Sequence, residues 1–149
     1  MRERITLPDL AATAALGARI AANLRPGDVI ALSGGLGAGK TTLARAIIAA
    51  LGHDGEVPSP SFAIFESYDP PLVRLPLVHA DFYRLARPAE ADELGLDDYR
   101  EGAAMIAEWP DHAGGFAHEP ACLSIALEGG DQDRMGIVEP GADWLSRWP

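Results

Sequence analysis

The chain has 149 residues, a net charge of −10 and 48% hydrophobic residues, which indicates one folded domain over 1–149 and excludes a disordered chain. The acidic balance argues against broad binding to nucleic acid, because contact with a phosphate backbone requires a basic face. No apolar run approaches the roughly 20 residues of a membrane span. The single cysteine, Cys122, indicates a reducing cytoplasm and is interpreted as a small buried side chain on a strand.

The first predicted elements are a helix and a buried strand. Asp9 precedes an alanine-rich stretch with leucine and isoleucine at helical spacing, which predicts a helix over 10–24 with Asp9 as its N-cap. The segment 25–28 contains proline and glycine and is typical of a turn. The short apolar run over 29–33 is typical of a buried parallel strand.

A glycine-rich loop follows that strand directly and matches the pattern G-x-x-x-x-G-K-[ST] over 34–41. In this pattern backbone N–H groups surround the phosphates of a nucleotide, the lysine reaches the β- and γ-phosphates, and the hydroxyl that follows can bind Mg²⁺. Lys40 is the only lysine among 12 basic residues, and a compact ammonium suits this position better than a planar guanidinium. The loop therefore predicts a site for a nucleoside triphosphate.

The rest of the chain alternates between further predicted strands and helices. A helix over 40–51 follows the loop, and Gly52 ends it. Apolar or alternating runs predict three more strands, at 62–68, 75–80 and 103–107, and shorter helical pieces are expected at 88–94, at 97–100 and near Trp144. The runs 121–128 and 135–139 flank a Gly-Gly-Asp-Gln-Asp-Arg turn and predict an antiparallel hairpin. The fold class is α/β: a three-layer fold like that of the P-loop NTPases, with a mostly parallel central sheet and a C-terminal hairpin.

Two predicted strands end in carboxylates. Asp81 and Glu108 each come directly after an apolar run, and in open α/β sheets ligands bind beyond the carboxyl ends of the strands. Phosphoryl chemistry with Mg²⁺ requires one group to hold the metal and often another to orient the attacking water. We therefore expect Asp81 and Glu108 to serve the phosphate loop.

Other polar and aromatic residues allow two interpretations each. Ser61 follows a proline on the loop after the second helix, so it is either a γ-phosphate sensor or part of a proline turn. His79 should point to the same side of its strand as Asp81, and a hydrogen-bonded structural role is favoured. Trp109 either contacts a base or fills the core, and the core is favoured.

The sequence also bears on the choice of base. Guanine-specific GTPases of the Ras type recognise their base with an Asn-Lys-x-Asp motif, and the single lysine of this chain already belongs to the phosphate loop. ATP is therefore the expected nucleotide.

Several segments together resemble one family, the bacterial ATPase subunit of the tRNA threonylcarbamoyladenosine machinery, TsaE (formerly YjeE). The order and spacing of these segments match the family from about 30 to 110, and the His-x-Asp-x-Tyr-Arg and Glu-Trp-Pro segments are more specific than the phosphate loop. The matching segments are Gly37-Ala38-Gly39-Lys40-Thr41-Thr42, Ser59-Pro60-Ser61-Phe62, His79-Ala80-Asp81-Phe82-Tyr83-Arg84-Leu85, Glu93-Leu94-Gly95-Leu96-Asp97-Asp98-Tyr99 and Glu108-Trp109-Pro110.

The resemblance implies roles for individual residues. It implies that Thr41 and Glu108 bind the metal, that Asp81 is an acid needed for hydrolysis, and that Arg134 lies near the nucleotide. The family usually has an acidic residue where Gly35 stands and threonine where Ser61 stands. The residues implied in ATP binding, besides Arg134, are Gly35, Leu36, Gly37, Ala38, Gly39, Lys40, Thr41 and Thr42.

The resemblance also implies a biological setting. The ATPase joins the TsaD–TsaB pair, which transfers a threonylcarbamoyl group to adenosine 37 of tRNAs that read ANN codons, and the tRNA is held mainly by the partners. Ser61, Tyr83 and Arg84 are expected on the rim that faces these partners.

Two other functions fit a phosphate loop in a chain of this size. One is a small-metabolite kinase, although such kinases usually have several lid arginines and this chain has only Arg84 and Arg87 close together. The other is a nucleotide-gated adaptor, in which binding of the nucleotide matters and turnover does not.

Overall fold

The sheet is the central feature of the fold. A computed structural model describes residues 2–60, 64–129 and 133–148, and within these ranges the chain forms one seven-stranded sheet with helices on both faces. The strands are β1 Glu3–Thr6, β2 Val29–Ser33, β3 Phe65–Tyr68, β4 Leu77–Asp81, β5 Ala104–Glu108, β6 Cys122–Glu128 and β7 Met135–Pro140. The helices are α1 Leu10–Asn23, α2 Lys40–Ala50, α3 Ala89–Glu93 and α4 Leu96–Arg100, with 3₁₀ turns at Pro110–Ala113 and Ala142–Trp144.

The strand order is β1-β7-β6-β2-β5-β4-β3. The four central strands, β6, β2, β5 and β4, are parallel, whereas β7, β1 and β3 add to the edges in antiparallel fashion. Burial explains this arrangement, because β2, β4 and β5 are buried along nearly their whole length and both faces of the sheet are covered. The predicted α/β fold, with a mostly parallel centre and a C-terminal hairpin, is confirmed.

Two apolar clusters fix the helices on the sheet. Leu43 and Ile47 of α2 are fully buried with Ile20 of α1 on one face, and the opposite face buries Phe82 and Met105 near the short helices α3 and α4. Since α2 begins one loop after β2 ends, its N-terminus lies at the sheet edge where the parallel strands finish. This edge is where a ligand is expected.

Most predicted boundaries are close to the observed ones. The side chain of Asp9 caps α1, with its Oδ1 accepting a hydrogen bond from the N–H of Ala12 at 2.9 Å. Cys122 is buried on a strand as expected. Over the described ranges, none of the helices is long and apolar enough to cross a membrane.

Two strands differ from the prediction. The strand expected from 62 begins only at Phe65, because Ile64 has a φ of 69°, in the left-handed region that extended chains avoid; the prediction for 62 and 63 lies outside the described residues. Sequence reasoning also missed β1, which has only four residues and pairs at the edge with β7. A strand this short has too little alternation to be recognised without its partner.

Candidate functional site

A cavity of ≈ 440 Å³ opens at the carboxyl ends of β2, β4 and β5. Its volume lies within the range of small-molecule sites. Its lining residues were all singled out by the sequence, although a place in the core was favoured for Trp109: Leu36, Gly37, Gly39, Lys40, Thr41, Thr42, Asp81, Tyr83, Arg84, Glu108, Trp109 and Arg134.

Two glycines allow the loop between β2 and α2 to fold tightly. Gly34 has a φ of 136°, and a Cβ atom there would lie 2.5 Å from the carbonyl oxygen of Leu127. Gly39 has a φ of 104°, and a Cβ atom there would lie 3.0 Å from Nη1 of Arg134. A side chain at either position would therefore meet both backbone strain and a neighbouring group. The loop ends at the N-terminus of α2, which favours a bound anion.

Lys40 is buried and folds back over this loop. Its Nζ donates hydrogen bonds to the carbonyl oxygens of Gly34 at 2.8 Å and Gly35 at 2.7 Å, and it lies 4.2 Å from the ring centroid of Trp109. Burial lowers the pKa of Lys40 from its ordinary value, and Glu108 and Asp81 act in the opposite direction. The ammonium is thus held inside the cavity, at the end of the loop where phosphates would lie.

Glu108 connects the loop helix to the sheet. Its Oε1 accepts a hydrogen bond from Oγ1 of Thr41 at 2.7 Å, and its Oε2 lies 2.6 Å from Nε2 of His79. Glu108 is 2% exposed and His79 is 0% exposed. We assign the hydrogen of the second contact to Nε2, because an ionised carboxylate can only accept. Both carboxylate oxygens therefore have a defined partner.

Asp81 lies directly beside Glu108, because the two residues are register partners on β4 and β5. One of its oxygens, Oδ1, accepts a hydrogen bond from the N–H of Tyr83 at 3.0 Å, which orients the carboxylate at the strand end. Asp81 and Glu108 meet at one sheet edge, as expected from the sequence, because β4 and β5 pair in parallel.

An aromatic group lies at the mouth of the cavity. Tyr83 is 46% exposed, its ring centroid lies 4.9 Å from that of Trp109, and both rings neighbour the imidazole of His112. The ring of His112 is fixed through Nδ1, which contacts the carbonyl oxygens of Phe82 and Tyr83. Arg84 also lines the cavity.

The position of Trp109 corrects the sequence interpretation in part. Its ring packs against the apolar cluster of Phe82 and Met105, as a core residue would, but it also lines the cavity and covers the Lys40 ammonium. The cause is a backbone φ of 55°, which turns the chain sharply after Glu108. Sequence reasoning missed His112 because no motif marks it; its position two residues after Pro110 was the only signal.

Arg134 reaches the loop from the C-terminal hairpin. Its Nη2 donates a hydrogen bond to the carbonyl oxygen of Gly37 at 3.2 Å, and its guanidinium covers Gly39. The expectation for Ser61 lies outside the described residues. The ATP-binding roles implied for Gly35 and Ala38 stay predictions. In the structure, the backbone oxygen of Gly35 accepts hydrogen bonds from Nζ of Lys40 and from the N–H of Ala38.

The residues of the cavity suit Mg²⁺ bound together with a nucleotide. Within the described ranges, no cluster of three or more histidine, cysteine or acidic side chains is arranged to hold a metal by itself. Mg²⁺ is commonly held by one or two protein oxygens together with substrate phosphates and water. Thr41 Oγ1 and Glu108 Oε1 lie 2.7 Å apart in the cavity and are the two protein oxygens that would hold the ion. This donor set fits the metal.

The chain is similar to known proteins of one family. A sequence profile of the family described as threonylcarbamoyl adenosine biosynthesis protein TsaE matches residues 7–136. The chain is similar to the tRNA threonylcarbamoyladenosine biosynthesis protein TsaE of Mycobacterium tuberculosis, with 40% identity over 70% of this chain and 66% of the relative. It is also similar to the Bacillus subtilis protein of that name, with 42% identity over 65% of this chain and 60% of the relative.

These curated relatives are longer than the matched part, so the similarity spans slightly less than two thirds of their length. Among solved structures, the fold is similar to that of YdiB from Bacillus subtilis, with a TM-score of 0.79 and 28% identity. That similarity covers 99% of this chain and 91% of the other.

Proposed function

The chain belongs to the TsaE family of threonylcarbamoyl adenosine biosynthesis proteins, and from this premise we propose that it binds ATP with Mg²⁺ and hydrolyses it in the cytoplasm to support that modification of tRNA. The observation that carries the proposal is the contact between Thr41 and Glu108. These residues are 67 positions apart in the chain, and their oxygens meet at 2.7 Å beside the lysine of the phosphate loop. Such a meeting of loop hydroxyl, strand-end carboxylate and lysine is what hydrolysis of MgATP requires.

Each residue has a defined task in this proposal. The loop N–H groups and the Lys40 ammonium bind the phosphates, and the hydrogen bonds of Lys40 to Gly34 and Gly35 give way to contacts with the β- and γ-phosphates. Thr41 and Glu108 would hold Mg²⁺, which would supply positive charge to neutralise the phosphates. Asp81, fixed by the N–H of Tyr83, orients the attacking water.

Electrostatics favour a local mode of binding. The chain carries a net charge of −10, so a nucleotide is repelled by the overall field and attracted only inside the cavity. There Lys40, Arg84 and Arg134 converge with the N-terminus of α2. The same acidic surface disfavours direct tRNA binding, and we assign tRNA binding to the partner proteins.

We place the TsaD–TsaB transferase pair at the mouth of the cavity. Tyr83 is exposed there and Arg84 lines the cavity beside it, so a partner that docks on this rim would sense the γ-phosphate end of the site. Hydrolysis is then slow in the isolated chain and serves to reset the complex between turnovers.

The proposal is tested by binding, turnover and capture together. Titration calorimetry should detect MgATP binding to the purified chain, and immobilised chain should retain the TsaD–TsaB pair from lysate when ATP is present. Asp81→Ala should lose turnover and retain MgATP binding, and Glu108→Ala should lose turnover and retain binding of ATP in EDTA. Glu128→Ala, at the exposed end of β6, should change neither turnover nor binding. Absence of MgATP binding would refute the proposal.

The same variants separate an ATPase from an adaptor. In a strain that depends on this chain, an ATPase role predicts that Asp81→Ala fails to restore threonylcarbamoyl adenosine in tRNA. Full restoration by a variant without turnover would show that nucleotide binding alone is sufficient.

A further inference from the structure

His79 is a buried histidine that the proposed chemistry does not yet use. It lies on β4 two residues before Asp81, and its register partner on β5 is Ile106. Because alternate residues of a strand face the same side, His79 and Asp81 share one face with Ile106 and Glu108. The imidazole therefore reaches diagonally from one strand to the carboxylate at the end of the next, and its Nε2 lies 2.6 Å from Oε2 of Glu108.

The contact is unusual for a histidine with only a structural role. His79 is 0% exposed, and within the described part of the chain its Nδ1 has no hydrogen-bonding partner. Buried polar atoms are normally paired, and an unpaired one opposes folding. The ring thus makes a single hydrogen bond, to Glu108, and that bond is what distinguishes histidine from an apolar side chain here.

Glu108 has a hydrogen-bonding partner at each of its carboxylate oxygens. The terminal torsion of a glutamate is broad, so a carboxylate with one partner can rotate. Glu108 has two partners, Thr41 at Oε1 and His79 at Oε2, so both of its oxygens are fixed. The contact of 2.6 Å between His79 and Glu108 is short for a hydrogen bond between nitrogen and oxygen, and both groups are buried.

We propose that His79 is the positioning residue of this site: its Nε2–H holds Oε2 of Glu108, so that Oε1 stays aimed at Thr41, where the Mg²⁺ of a bound nucleotide is held. This inference rests on the proposed nucleotide function and adds a residue that supports the metal ligands without touching substrate. Groups that orient metal ligands from behind commonly change metal affinity by about tenfold or more when removed.

The test measures how Mg²⁺ affects nucleotide binding, without any turnover. Affinity for a non-hydrolysable ATP analogue is determined by calorimetry across a series of Mg²⁺ concentrations and in EDTA. His79→Leu removes the hydrogen-bond donor. We expect the Mg²⁺ concentration that gives half of the gain in analogue affinity to rise about tenfold. Analogue affinity in EDTA should not change. His79→Gln places an amide N–H where Nε2 stood and should keep the Mg²⁺ dependence of the parent.

Two controls separate positioning from packing. Ile106→Val alters a buried neighbour on the same face of the sheet and should leave the Mg²⁺ dependence unchanged. In a Glu108→Gln background, His79→Leu should cause no further loss, because two residues that act through one contact are not additive. If His79→Leu does not fold, His79→Asn replaces it, since its amide is too short to reach Glu108.

The outcomes are distinct. Parental Mg²⁺ dependence in His79→Leu or His79→Asn, failure of His79→Gln to retain it, or a further loss in the Glu108→Gln background would each overturn the role of His79 and leave the proposed function standing. A parent chain without Mg²⁺-dependent nucleotide binding would overturn the proposed function and this inference with it.

Discussion

Within the described part of the chain, buried charges occur in two regions, and the regions differ in whether these charges border a cavity. In the candidate functional site, Lys40, Asp81 and Glu108 are buried yet border a cavity of ≈ 440 Å³. At the other end of β2, the C-terminal clamp, which we define as Trp144, Arg147 and Trp148, holds Asp28 through Arg147, whose guanidinium lies 4.3 Å from the centroid of the Trp144 ring.

The clamp is saturated with hydrogen bonds. Arg147 donates to both carboxylate oxygens of Asp28, at 2.7 and 2.9 Å, and to the backbone oxygens of Asn23 and Asp143. Asp28 also accepts from the N–H of Arg25. The hydrogen bond to Asp28 raises the pKa of Arg147 from its ordinary value. This arrangement leaves little capacity for a ligand.

The tryptophans extend the clamp to the first strand. Trp148 donates through Nε1 to Glu3, and the guanidinium of Arg19 lies 3.9 Å from the centroid of its ring. The indole N–H of Trp144 donates to the carbonyl oxygen of Ala121 at 2.8 Å. The last residues of the described chain thus connect α1, β1 and the start of β6. Buried charge that is closed off by its own partners stabilises a fold, whereas buried charge that faces a cavity is available for binding.

The largest expected effect is at Lys40, where a substitution tests whether buried charge at the cavity serves binding. Lys40→Ala should weaken ATP binding by about a hundredfold, or about 2.7 kcal/mol, because it removes an ammonium that contacts phosphates. Stability should change little. Arg45→Ala, one turn along α2 on an exposed position, is the matched control and should bind ATP as the parent does. Calorimetry measures both, and normal binding by Lys40→Ala would disprove the loop assignment.

In the clamp, we expect a substitution to lower stability and to leave ATP binding unchanged. Arg147→Met should lower the free energy of unfolding by about 3 kcal/mol, because it leaves the buried Asp28 carboxylate without its ion-pair partner. ATP affinity of the folded variant should not change. Arg2→Met breaks the exposed pair with Glu139 and should lower the free energy of unfolding by less than about 1 kcal/mol. Urea unfolding measures both variants. Equal losses in the free energy of unfolding would contradict a special role for the buried pair.

A smaller effect is expected at a pair of intermediate exposure. Arg100 forms two hydrogen bonds to Glu119, and they lower the pKa of Glu119 from its ordinary value. A carboxyl whose pKa is lower in the folded state stabilises the fold above its unfolded pKa, and this is lost as pH falls through the folded pKa. Glu119→Gln should therefore lower the free energy of unfolding by about 1 kcal/mol at pH 7.

The pH dependence provides the check on that pair. The difference between parent and Glu119→Gln should shrink as pH falls below about 4.3, the ordinary pKa of glutamate, and approach zero once Glu119 is protonated. Glu101→Gln, on a nearby exposed position, should show no such trend. A constant difference across the acid range would show that packing, and not charge, makes the Glu119 contribution.

Local patterns were sufficient for much of the site. The phosphate loop, the N-cap Asp9 and the strand-end carboxylates Asp81 and Glu108 were predicted because each depends on neighbouring residues and on the periodicity of helix and strand. The parallel sheet then made the meeting of Asp81 and Glu108 a consequence of topology. Arg134 was predicted only through the family resemblance.

Other features depended on contacts between distant segments. The sequence by itself determined which residues form the loop, the central strands and the acids at their ends, because those choices are made within a few residues of chain. Only the tertiary structure decided that His79 reaches Glu108, that the Trp109 ring covers Lys40, and that Arg147 pairs with Asp28 across 119 positions. The first contact depends on the register of the sheet, the second on the left-handed backbone of Trp109, and the third on the C-terminal segment packing beside the start of β2. A pattern of neighbouring residues does not encode any of these.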